Sequence, residues 1–362
     1  MTPRLFTPIE IGSVTVPNRI SVPPMCMYSA KLGVAQPFHF AHYAKLAQSG
    51  AGLVCIEACA VTPEGRITEN DLGLWSDECE AGIAAIVRTM RQAMPGVRIF
   101  IQLSHAGRKA SRRAPWAGSA VLAVSDGGWR VRAPSDLPFG EDGPKPLPLD
   151  FEECGELARA FGEAAARAVR AGVDGIELHM AHGYLIHEFL SPLSNRRIDE
   201  YGGAFENRTR FAVDVMEAVM SAVGRDAAVG LRVSATDWVD GGWTPEETVD
   251  LVKLAKRHGL VFADVSTGGL VPDAAIDEAP GYQVPFAAQV KRAAGMPVFA
   301  CGRITNASQA ETILRAAAAD VIDVGRGVLD DPNWGWHAAR ALRVKSVPEL
   351  AVPQQYERGI RL

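Results

Sequence analysis

The chain has 362 residues, 48% of them hydrophobic, and a formal net charge of −5. Its length exceeds that of an average domain but is ordinary for a closed α/β barrel, and the charge balance excludes a broad basic face for nucleic acid. No run approaches the ~18 apolar residues of a membrane helix, and the N-terminal stretch lacks the apolar core of a signal peptide. The cysteines Cys26, Cys55, Cys59, Cys79, Cys154 and Cys301 are scattered without a CxxC pair. That usage points to a reducing, cytoplasmic setting rather than a disulfide scaffold. Short apolar runs alternate with amphipathic stretches, the pattern of parallel strands and crossover helices. Candidate strands are 20–22, 53–58, 99–104, 175–179, 229–234, 262–266, 298–300 and 321–324. Eight is the number a TIM barrel needs.

Several helices announce their ends. Asp150 with Glu153 reads as a capping box, followed by Leu157, Phe161, Ala165 and Ala168 at helical spacing and closed by Arg170 and Gly172. Thr244-Pro245-Glu246-Glu247 reads as a second box, with Pro at the first helical position. A third helix is expected over 305–319. Residues 112–148 are rich in Pro, Gly and charge, an excursion after the third strand of the kind that shapes a barrel mouth. The whole is expected to be α/β, a single (β/α)8 TIM-barrel domain over 1–362 with this excursion and a C-terminal tail. A doubly wound sheet loses ground, because Pro23-Pro24-Met25-Cys26 stands where GxGxxG would follow the first strand.

Barrel chemistry sits at the carboxyl ends of strands. The fourth ends in His179-Met180-Ala181-His182-Gly183-Tyr184. Spacing of three brings His179 and His182 to one side if the segment turns helically after the strand. Two imidazole donors converging on a point can hold an oxygen that gains negative charge, and a phenol nearby can supply a proton. Gly302-Arg303 and Gly325-Arg326 end the seventh and eighth strands, the usual barrel phosphate grip. Gln102 and Arg232 then face a planar polar ring over the mouth, which implies a phosphorylated cofactor such as flavin mononucleotide (FMN).

Ordered motifs support a specific resemblance. They are Pro24-Met25-Cys26-Met27-Tyr28, His105-Ala106-Gly107-Arg108-Lys109-Ala110, the His179–Tyr184 segment, Ser194-Asn195-Arg196-Arg197, Gly281-Tyr282-Gln283-Val284, Gly325-Arg326 and Tyr356-Glu357-Arg358-Gly359. Together they resemble the Old Yellow Enzyme family of FMN-dependent ene-reductases, in its bacterial thermophilic-like branch. The resemblance implies non-covalent FMN, NADPH as hydride donor, and alkenes conjugated to carbonyl or nitro groups as substrates. It implies that His179 and His182 hold the substrate oxygen and that Tyr184 donates the proton. It places Tyr28 and Arg358 at the substrate, with Arg358 reaching a neighbouring site in a homodimer or homotetramer. Pro23, Pro24, Met25, Cys26, Ala58, Gln102, Arg232, Gly302, Arg303, Gly325 and Arg326 are the expected cofactor contacts, with Cys26 beside flavin N5. Pro23 departs from the pattern by lacking an N–H, and Cys59 by replacing a hydroxyl residue.

Three other readings stand beside this one. A metal-dependent barrel hydrolase would use His105, His179 and His182, but no carboxylate follows at a usual ligand spacing. A Schiff-base aldolase would need a strand-end lysine, and Lys109 is the nearest. A non-catalytic flavin carrier would have no need of the His pair and the phenol. His39, His42, His258 and His337 read as structural, and Trp116, Trp129, Trp238 and Trp243 as mouth-loop residues.

Overall fold

In the computed structural model, which describes residues 2–344 except 142, 225 and 226, together with 352–356 and 358, eight parallel strands close into a barrel. They are Ile20–Val22, Leu53–Ala60, Arg98–Ser104, Gly175–Met180, Ala228–Ser234, Phe262–Ser266, Val298–Ala300 and Val321–Asp323. Strands adjacent in sequence are adjacent in space, and the eighth pairs with the first through Ile322 and Ile20. All eight expected strands are present. Both faces of each strand are buried, which is why they read as nearly continuous apolar runs.

The register aligns one inward row around the barrel. Gln102 lies opposite Glu177, Glu177 opposite Gly230, and Gly230 opposite Phe262. The lower interior is a plug of Leu53, Phe100, Phe262, Phe299 and Val321. Its rings meet at 5.5 Å (Phe100 with Phe262) and 5.1 Å (Phe262 with Phe299). A hairpin that the sequence reading missed, Ile9–Ile11 with Val14–Val16, lies across this end and buries Ile11 and Val16 in the same cluster.

The helices form as their caps dictate. Phe151–Ala171 begins at Asp150 with its box closed in both directions and ends at Gly172 in the left-handed region. Pro245–Arg257 begins at the Thr244–Glu247 box. The helix expected over 305–319 is shorter, Ala307–Arg315, because Asn306 rather than Thr305 caps it by accepting from Gln309 N–H at 2.9 Å. The excursion has little regular structure beyond single turns at Pro115–Ala117 and Val124–Asp126 and a short pairing of Arg132–Ala133 with Leu147–Pro148.

Candidate active site

A cavity of about 460 Å³ opens at the carboxyl ends of the strands, within the usual small-molecule range of roughly 300–1,000 Å³. Pro23, Pro24 and Met25 of the first strand end line one wall, and Gly302, Arg303, Gly325 and Arg326 line another. Arg232 and His182 also face it. The two strand-end glycine–arginine pairs thus line one cavity. The arginine side chains themselves turn outward. Arg303 is exposed and donates to the Glu278 carbonyl at 2.8 Å, and Arg326 pairs with the Glu278 carboxylate at 3.6 Å.

His179 and His182 do converge, but not by a helical turn. His182 and Gly183 adopt left-handed backbone angles, φ 59° and 72°, and fold the chain back before the helix Leu185–Leu190 begins. Gly183 has no room for a side chain, since a Cβ there would sit 2.2 Å from the Gly269 carbonyl. Lys109 fastens the turn by donating to the His182 and Gly269 carbonyls at 2.8 and 2.9 Å. Behind it, His187 Nδ1 accepts from Gly183 N–H at 2.9 Å, and His187 Nε2 faces Asp237 at 3.0 Å. The Tyr184 ring stands edge-on to His179 at 4.9 Å. Burial and the Arg232 charge hold both active-site histidines well below the ordinary imidazole range, so they are neutral. Burial, then the nearby Cys26 and Tyr28, push the Tyr184 phenol up, so it keeps its proton.

The tautomers follow from the hydrogen-bond network. His179 Nδ1 accepts from Ala181 N–H at 3.3 Å, which leaves the proton on Nε2. On the other side a chain of donors runs one way. Cys301 donates to Gln283 Oε1 at 2.9 Å, and Gln283 Nε2 donates to Ser266 Oγ at 3.2 Å. Ser266, already an acceptor, is free to donate to His182 Nε2 at 2.7 Å. His182 then carries its proton on Nδ1, 3.4 Å from His179 Nε2. Two N–H donors so close need an acceptor between them, such as a carbonyl or nitro oxygen.

Cys26 and Tyr28 occupy the turn after the first strand, with Tyr28 at φ 45°. Glu57 fixes this turn by accepting from Met27 N–H at 2.9 Å, while Tyr43 donates to the other Glu57 oxygen at 2.8 Å. Burial, then the Asp71 and Glu57 carboxylates, push the Cys26 thiol well up. Ala58 is buried beside a break in register between Ile56 and Cys59 of the second strand. Gln102 is buried, and its amide donates to Glu177 at 2.8 Å. Arg232 lies 3.1 Å from Asp264.

Of the tryptophans, Trp116 is 72% exposed and meets Tyr28 edge-on at 5.9 Å, whereas Trp243 is buried and donates to Thr248 at 2.7 Å. Trp129 donates to the Glu64 carbonyl at 2.7 Å, and Trp238 packs on Phe286. His105 is turned into its own loop, accepting from Gly107 N–H at 3.1 Å. Among the described residues no three His, Cys, Asp or Glu side chains are grouped as a metal site would need, so the hydrolase reading has no ligand set. Arg358 is exposed, and Glu357 and Gly359 of its motif lie outside the described residues. Sequence reasoning missed Gln283, Cys301 and the acids Glu177, Asp264 and Asp323 as site residues. The available signal was a lone acid at an inward position of three apolar strands: Ile-Glu-Leu, Ala-Asp-Val and Ile-Asp-Val.

A parallel eight-stranded barrel with a basic, glycine-lined cavity and a paired-imidazole rim defines a cofactor-dependent barrel oxidoreductase. The chain belongs to the NADH:flavin oxidoreductase / NADH oxidase family, the Old Yellow Enzyme family, which matches residues 4–344. It is 44% identical over 361 residues to a NADPH dehydrogenase of Bacillus subtilis (strain 168), covering 99% of this chain and 100% of that protein. A NADPH dehydrogenase of Geobacillus thermodenitrificans (strain NG80-2) is 43% identical over 359 residues, 99% of this chain and 98% of that one. Morphinone reductase in complex with tetrahydroNAD has the same fold, with TM-score 0.77 and 28% identity over 94% of this chain and 91% of that one. The protein is an oxidoreductase, and FMN is its cofactor. The cavity fits that group. Arg232 supplies a buried positive charge at its floor, and Gly325 leaves a cradle that a Cβ would fill against Met25 and Pro23 at 3.4 Å.

Proposed function

We propose that the protein is an NADPH-dependent ene-reductase that saturates the C=C bond of alkenes conjugated to carbonyl or nitro groups. The observation that carries this reading is the pair of neutral imidazoles whose facing ring nitrogens, 3.4 Å apart, stand beside a phenol at the mouth of the flavin cavity. FMN, when bound, accepts a hydride from NADPH and delivers it to the β-carbon of the alkene. Pro23, Pro24, Met25, Cys26, Ala58, Gln102, Gly302, Arg303, Gly325 and Arg326 would hold the cofactor, and Arg232 would supply a positive charge to it. His179 Nε2–H and His182 Nδ1–H bind the carbonyl or nitro oxygen and stabilise the charge that grows on it. Tyr184 gives its proton to the α-carbon, and Tyr28 and Trp116 shape the opposite wall.

Arg358 belongs to a neighbouring subunit's site in this reading, within a homodimer or homotetramer. The chain's own tail supports that. Tyr356 meets Trp336, and Trp336 lies against Gly50 before the second strand, at the end of the barrel opposite the histidines. All six cysteines are free, which supports a reducing, cytoplasmic location.

The purified protein should be yellow, release FMN on heating, and convert an enone with NADPH to the saturated ketone. Release of FAD, or an allylic alcohol as product, would contradict the reading. A chain carrying Arg358→Ala together with the His179→Ala and His182→Ala lesions, paired with wild type, should raise the wild-type subunit's KM. A normal KM there would place the arginine in its own site.

A further inference from the structure

Three carboxylates stand inside the barrel directly beneath the flavin cavity. Two residues above the plug on alternate strands, Leu53, Gly175, Phe262 and Val321 give way to Cys55, Glu177, Asp264 and Asp323, all buried. These four form one layer of the filling expected in such barrels. Among the described residues one cation faces the layer, Arg232, whose Nε lies 3.1 Å from Asp264 without hydrogen-bond alignment. Neither oxygen of Asp264 nor of Asp323 has a well-aligned hydrogen bond among the described residues, although Glu177 faces Asp264 and Ser21 faces Asp323. Asp323 also lines the flavin cavity.

The remaining neighbours add no charge. Ser21, opposite Asp323 in register, and Gln102, bonded to Glu177, are neutral side chains. Burial keeps Cys55 a thiol and pushes Cys301 up to about 12. His179 and His182 above are neutral for the reasons already given. Three ionised carboxylates against one guanidinium would leave two uncompensated charges away from water, at several kcal/mol per ion. Groups so placed keep their protons instead. Burial, reinforced by the Asp264 charge, accordingly pushes Glu177 up to about 8 and Asp323 well above the carboxylate range. At rest, one carboxylate matches Arg232 and two are protonated.

Reduction adds one negative charge to the ring above Arg232, and the layer's balance is lost. We propose that the Glu177–Asp264–Asp323 layer takes up one proton when the flavin is reduced and returns it to solvent on reoxidation. The inference rests on flavin binding over Arg232 and not on the identity of the alkene. At an electrode, the ring accepts two electrons and one proton, and the ionised carboxylate of the layer becomes a carboxylic acid by accepting a second proton. With NADPH, the hydride brings the electrons and the ring proton together. The layer's proton alone then comes from solvent, by way of Asp323, the member that reaches the cavity.

Electrochemical titration of the holoenzyme across the neutral range tests this. Two protons should be taken up per flavin, with the reduced flavin absorbing in its anionic form and the infrared difference spectrum gaining a carboxylic C=O band. Replacing all three acids together, Glu177→Gln with Asp264→Asn and Asp323→Asn, should lower the count to one and remove the band, because no carboxylate then remains beside Arg232. Should that variant not fold, carboxyl-labelled aspartate and glutamate in the wild type assign the band to the layer. One proton per flavin, a reduced flavin absorbing in its neutral form, or no carboxylic band overturns the proposal. A protein that binds no flavin would fail the family reading before any proton is counted.

Discussion

The lower and upper halves of the barrel share the same strands and differ in almost everything else. Below, Phe100, Phe262 and Phe299 fill the interior with rings and the hairpin of Ile11 and Val16 seals it. Above, within two to four residues along the same strands, the interior holds Glu177, Arg232, Asp264 and Asp323, followed by His179 and Ser266. Each apolar residue of the plug is stabilised by burial alone. Several polar residues above it depend on a named partner: Gln102 on Glu177, Arg232 on Asp264, His182 on Ser266. Damage to the plug should therefore appear as lost stability, and damage above it as lost chemistry.

Phe262→Ala breaks the lower half and should show the largest effect on folding, about 3–5 kcal/mol from lost burial and the cavity left behind. Denaturant melts would register it, while flavin content per folded molecule should stay unchanged. Loss of flavin in the folded fraction would mean that the two halves are not separable.

Tyr184→Phe keeps the ring and removes the phenolic hydroxyl, and with it the proton donor. Alkene-dependent turnover should fall by about 10²-fold, most for weakly activated alkenes, with water replacing the donor. Equal rates across a graded substrate series would remove Tyr184 from the mechanism.

Ser266→Ala takes away the hydroxyl that sets the His182 tautomer. The effect should be smaller, about 0.5–1.5 kcal/mol for one hydrogen bond, and should appear as weaker binding of a carbonyl ligand with flavin still bound. Nitrogen NMR of the labelled imidazole should show the proton shared with Nε2. An unchanged Nδ1–H tautomer would show that the Cys301–Gln283–Ser266 chain does not direct it.

Glu177→Gln sharpens the contrast through pH. The folded protein holds the Glu177 proton up to about 8, well above the ordinary glutamate value of 4.5. The stability contributed by that raised group is complete below the unfolded value and is lost as pH rises through the folded one. The wild-type melting temperature should decline between those limits, and the variant should decline less. Parallel curves would show that Glu177 is not protonated at rest.

The apolar architecture was largely legible in the sequence, because strands buried on both faces and helices with closed capping boxes leave local signatures. The hairpin was missed because its strands, Ile9–Ile11 and Val14–Val16, are too short for alternation to stand out. The candidate site was legible where chemistry gathers at strand ends, as at His179, His182, Tyr184 and the Gly302 and Gly325 turns. Its geometry was not. Convergence of the imidazoles depends on left-handed angles at His182 and Gly183, fastened by Lys109 from another segment and by His187 from the helix that follows. The acid layer escaped notice because each acid is a single interruption of an apolar run. Only closure of the barrel brings the interruptions together.

The most direct test of the central claim is stopped-flow kinetics of the two half-reactions in the His179→Ala, His182→Ala double variant. Flavin reduction by NADPH should remain close to wild type. Flavin reoxidation by an enone should slow by at least the roughly 10²–10³-fold that loss of one oxyanion donor costs. An unchanged reoxidation rate with flavin fully bound would contradict the assignment of the imidazole pair as the seat of alkene activation.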